Sequence, residues 1–157
     1  MPRREMHSSI KVVQHIAAAA YTTTQTPAAG VDLAGYNAAE IVVSIGTIAN
    51  IANSPVPSWT FKLQESDEAA SDFADVEDGT AYVVEASAKA PVRPPSAANA
   101  NFLTVDGAAE DATTYRLGYI GIKRYIRVVA TAADTPGATP LSVLVILGRP
   151  SLAPTAD

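Results

Sequence analysis

A chain of 157 residues has the length of one domain and can bury an ordinary hydrophobic core. Cysteine is absent, which excludes disulfides and thiolate metal sites, and a net charge of −5 opposes general binding to polyphosphate. Only 17% of the residues are charged and 6% aromatic, so the hydrophobic fraction rests on alanine and the exterior is expected to be neutral, rich in Ala, Ser, Thr and Asn.

The chain begins MPRREMHSS, charged and polar, and runs into IKVVQHI. It lacks the leucine-rich segment and small-residue cleavage site of a signal peptide. Residues 1–9 therefore read as an arm carrying Arg3 and Arg4, and residues 9–16 as the first strand. A Thr/Pro/Gly-rich segment separates it from residues 39–48, AEIVVSIGTI, a nearly continuous apolar run of the kind found when both faces of a strand are covered. A helix over residues 38–52 competes, but Val42, Val43, Ile45, Thr47 and Ile48 favour a strand because branching at Cβ restricts helical rotamers.

In SWTFKLQES, Trp59, Phe61 and Leu63 share one face and Thr60, Lys62 and Gln64 the other, the period of a half-buried strand. Trp59 reads as a core anchor, with a sugar-stacking platform as the alternative. The polar loop that follows holds Glu65, Asp67, Glu68, Asp72, Asp75, Glu77 and Asp78, and Phe73 and Val76 read as pegs returning to the core. Carboxylates on a loop suit calcium, but the spacing is not that of an EF-hand, and a charge run is more often a solvated loop. Short strands are expected at residues 82–85 and 102–105. Between them Pro91, Pro94 and Pro95 stiffen a long loop that carries Arg93.

The stretch YRLGYIGIKRYIRVVATA reads as a hairpin, with residues 114–120 and 124–131 as arms and 121–123 as the connection. Tyr115, Leu117 and Tyr119 share a face on the first arm, as do Ile126, Val128 and Ala130 on the second. Arg116, Lys123, Arg124 and Arg127 stand among tyrosines, the mixture used by single-strand nucleic-acid binders, yet the alternation scatters them over both faces. A last strand is expected at residues 141–147, followed by a tail, 149–157, with too much Pro and Ala for regular structure. The expected fold is all-β, an antiparallel sandwich over residues 10–148 between two arms. No span long enough for a membrane helix occurs.

Reaction chemistry is hard to find. His7 and His15 lack the spacing and partners of a zinc site. There is no G-x-S-x-G and no Gly-rich phosphate loop, and no pair of acids stands out. The expectation is no catalytic residue, no cofactor and no metal.

LQESDEAASDFADV and GYIGIKRYIRVVATA resemble a loop and a following strand of small jelly-roll sandwiches, although the usual turn glycine is missing at residues 68–70. With HSSIKVVQHIAAAAY, AGYNAAEIVVSIG and VILGRPSLAP, most of the chain is similar to small virion structural proteins of tailed bacteriophages, and within that group to jelly-roll capsid cement, or decoration, proteins. The resemblance implies a homo-oligomer, dimer or trimer, on the capsid exterior that bridges major capsid subunits, with no nucleic-acid or membrane partner. Arg3, Arg4, Arg93, Arg116, Lys123 and Arg127 are the expected capsid contacts. The alternatives are a carbohydrate-binding module, or a head–tail joining or tail-tube protein.

Overall fold

A computed structural model describes residues 6–76, 81–82 and 101–152. Among the described residues, after a single 3-10 turn at His7–Ser9, every regular element is a strand: β1 (Ile10–Tyr21), β2 (Val31–Asp32), β3 (Tyr36–Ile45), β4 (Ser58–Ser66), β5 (Ala74–Asp75), β6 (Ala81–Tyr82), β7 (Asn101–Val105), β8 (Thr113–Tyr119), β9 (Tyr125–Ala133) and β10 (Thr139–Pro150). The first sheet has the order β1-β10-β3-β8-β6 and the second β2-β9-β4-β5, with β7 also paired to β4. Every pairing is antiparallel. Among the described residues no helix is long and apolar enough to cross a membrane.

The core lies between the two sheets. Ile41, Val43 and Ile45 of β3 and Leu141, Val143, Val145 and Leu147 of β10 face Trp59, Phe61 and Leu63 of β4 and Ile126, Val128 and Ala130 of β9. The alternation expected for β4 is present, with each of those three β4 side chains 0% exposed. The strand expected at 39–48 forms as β3, but its ladder ends at Ile45; Ile48 is still buried, so the apolar run outlasts the strand and feeds the core from a turn. The first strand continues through Ala17–Ala20 to Tyr21, because pairing with β10 supplies the hydrogen bonds that alanine's weak strand propensity does not. Likewise Gly148, just past the expected end of the last strand, and Pro150, assigned above to the tail, extend β10 against Ala38 and Tyr36.

One expectation is overturned. The stretch 115–131 is not a hairpin: β8 pairs with β3 and β6 in the first sheet, whereas β9 pairs with β2 and β4 in the second. Residues 120–124 therefore carry the chain from one sheet to the other. A hairpin would put the apolar sides of both arms on one face of one sheet. Crossing the sandwich lets Tyr115, Leu117 and Tyr119 enter the core from one side and Ile126, Val128 and Ala130 from the other.

Candidate interaction surface

The crossing at residues 120–124 is built around the Tyr119 ring. Its hydroxyl donates to Glu65 Oε2 at 2.6 Å and accepts the Lys123 amide N–H at 3.1 Å, so one side chain ties the connection to the end of β4. Burial and the Glu65 carboxylate together hold the phenol far above its ordinary pKa, and it acts only as a neutral hydrogen-bonding group. A Cβ on Gly121 would collide with the Tyr119 oxygen and ring, so a side chain at 121 is incompatible with this packing.

Ion pairs brace the rest of the turn. Lys123 Nζ lies 2.6 Å from Asp67 Oδ2, and that hydrogen bond raises the lysine pKa. Arg124 holds Asp32 with two bonds, Nε to Oδ1 at 3.0 Å and Nη2 to Oδ2 at 2.8 Å, which lower the Asp32 pKa. The guanidinium also lies 5.1 Å from the centre of the Tyr125 ring. On this framework Ile122 is 97% exposed and Ile120 50% exposed. Beside them a recess of about 710 Å³ is lined by Leu33, Tyr36, Ala38, Ile122 and Arg149, among others. A braced loop with two solvent-facing isoleucines presents a preorganised apolar surface, on which binding would have little order left to impose.

The residues expected at a capsid contact do not gather on one surface. Arg116 points from the outer face of the first sheet and pairs with Glu40 at 3.5 Å. Lys123 is in the crossing loop. Arg127 is on the second sheet, where it donates to Gln64 Oε1 at 2.8 Å and to the Pro27 carbonyl at 3.3 Å and lies 4.0 Å from the centre of the Phe73 ring. Arg3, Arg4 and Arg93 lie outside the described residues. All four cations of the stretch 116–127 thus have partners within the chain, which leaves the nucleic-acid reading without an unpaired basic stripe there. The two isoleucines between them escaped the sequence reading. Their signal was an apolar I-G-I where the strand alternation stops.

The acidic segment is spent on similar contacts. Glu65 and Asp67 serve the crossing loop, while Asp75 accepts from Lys62 at 2.9 Å and Gln64 at 2.7 Å. Desolvation pushes the Asp75 pKa upward, but these donors outweigh it and the net shift is down. Ser66 Oγ donates to the Ser71 carbonyl and accepts the Glu68 amide, and Asp72 takes the left-handed conformation, φ 53°. Glu77 and Asp78 lie outside the described residues, and among the described residues no three metal-ligating side chains come together.

Trp59 is 0% exposed and offers no face to a sugar, so the stacking-platform alternative fails at that residue; its Nε1 has no hydrogen-bond partner. Val76 reaches the core as expected, but Phe73 is only partly buried and covers Arg127 instead. His15 stands at a β-bulge in β1, where the register shifts between Gln14 and Ile16, and its Nε2 accepts the Val128 N–H of the opposite sheet at 2.9 Å. No protein-family model, curated protein or solved structure matches the chain.

Proposed function

We propose that this protein is a non-enzymatic capsid cement protein of a tailed bacteriophage, which binds the outside of the assembled shell and stabilises it by bridging major capsid subunits. The observation that carries the proposal is the crossing loop: Ile120 and Ile122 are held out to solvent by the neutral Tyr119 and by Lys123 and Arg124, whose charges are neutralised within the chain. Such a loop suits a protein surface with an apolar pocket, and its neutral surroundings suit a partner without a strong field of either sign.

Strand order supports the same reading. With the two-residue strands β5 and β6 set aside, the first sheet reads β1-β10-β3-β8 and the second β2-β9-β4-β7. Consecutive strands among these alternate between the sheets except at the step from β4 to β7, an order that supports a jelly-roll reading. A rigid sandwich of this kind resists deformation when a lattice strains against it. The second reading, a head–tail joining or tail-tube protein, uses the same adhesive loop in a ring or tube.

The test is binding to expanded phage heads. Wild-type protein at micromolar concentration is expected to sediment with heads and raise their disruption temperature, and Ile122→Asp to weaken binding roughly tenfold to a hundredfold while leaving the fold intact. Absence of head binding, or rings and tubes of purified protein under the electron microscope, defeats the cement reading.

A further inference from the structure

The two sheets differ in the surfaces they turn to water. Outside the second sheet is a polar lattice: Lys62 and Gln64 meet Asp75, Arg127 meets Gln64, and Thr60 lies 3.5 Å from Thr104. Among the described residues the outer face of the first sheet has no such lattice. Registered across β1, β10 and β3, Val12, Ile146, Leu144 and Val42 form an aliphatic ridge in which Val12 is 53% exposed. Next along the strands comes a recessed row of short side chains, Ser142, Ser44 and Thr114, at the floor of an open depression of about 620 Å³. Among the described residues the charged side chains of this face, Glu40 and Arg116, are paired with each other. In β10, apolar residues therefore point both ways, toward the core and toward water, which an antiparallel sheet with one solvated face does not require.

We infer that this face is the interface of a two-fold homodimer, with the ridge of each copy seated in the depression of the other. The surface is self-complementary: a two-fold axis parallel to the sheet and midway between the facing copies, crossing the strands between the row of Leu144 and the row of Ser142, places Leu144 and Val42 of one copy over Ser142 and Ser44 of its partner. Charge selects a like surface, because the single ion pair is closed internally and gives a strongly charged partner nothing to grip. Size fits as well. Four strands at ~4.8 Å spacing and a length of about 30 Å give roughly 600 Å² before side-chain relief, near the ~800 Å² per partner of a standard interface. The inference stands whether or not the protein binds capsids.

The experiment uses the full chain. Light scattering after gel filtration is expected to give a dimer at micromolar concentration, and Leu144→Lys a monomer with an unchanged far-UV spectrum and an association constant lower by roughly a hundredfold or more. Because the chain has no cysteine, Ser44→Cys introduces a single thiol; with facing sheets ~10 Å apart the two copies lie about 12 Å from each other and a short bismaleimide should link them. Thr131→Cys, on the second sheet, should not link. A wild-type monomer or trimer overturns the inference, as does a dimer that persists in Leu144→Lys or links through Thr131→Cys. A monomer that loses head binding on Leu144→Lys also overturns it, by assigning the face to another protein.

Discussion

At the residue scale, His15 shows how one side chain completes a sheet. Along the edge of β9 away from β4, Ile126 pairs with Val31, Ala130 bonds Gln25, and the Ala132 amide finds Thr24 Oγ1. The Val128 N–H would be left over, and the bulge in β1 turns His15 toward it. Accepting that proton needs an unprotonated Nε2. Burial, with Arg127 acting in the same direction, lowers the imidazole pKa from 6.5 to about 4. Because the folded value lies below the unfolded one, the stabilisation is complete above pH 6.5 and is lost as pH falls toward 4, by about 3 kcal/mol in total. Urea midpoints measured across this window should fall more steeply for wild type than for His15→Gln, which keeps an acceptor but does not titrate. Equal slopes would show that His15 is not the titrating group.

At the element scale, the crossing between β8 and β9 depends on glycine at 121. Ala at this position forces the Tyr119 ring aside and strains its bonds to Glu65 and Lys123, a small-to-large change expected to cost about 1–3 kcal/mol. Gly107→Ala is the control, since a Cβ there meets nothing nearer than Glu110 Oε2 at 3.9 Å. Thermal unfolding should show a clear drop in Tm for the first variant and little change for the second. The alternation within β4, β8 and β9 was legible in the sequence because a strand's period is local. Their partners were not. Tyr115, Leu117 and Tyr119 read the same whether β8 turns back on β9 or crosses to the other sheet, and only the packing of both sheets around Trp59 selects between these.

At the scale of the whole molecule, one core joins the sheets, and nearly all strand pairings bring together residues distant in sequence. Among the described residues neither sheet packs an apolar layer of its own apart from this core. Unfolding should therefore be a single transition, with Trp59 fluorescence reporting the core and far-UV dichroism reporting the strands at coincident midpoints. Separate midpoints would mean that one sheet survives without the other. The candidate surface follows the same division. Acids and cations were visible in the sequence as clusters, but opposite charges distant along the chain close on one another once folded, and the isoleucines between them become the exposed feature.

What the sequence determined by itself is the β class, the face that each strand of regular alternation buries, the core role of Trp59, and the absence of thiol chemistry. These follow from composition and from a period of two residues, both properties of neighbouring positions. Which strands pair, where the chain crosses between sheets, which charges are spent internally and which apolar groups stay in water were decided by tertiary structure. Each depends on contacts between residues far apart in the chain, and local spacing carries no record of them.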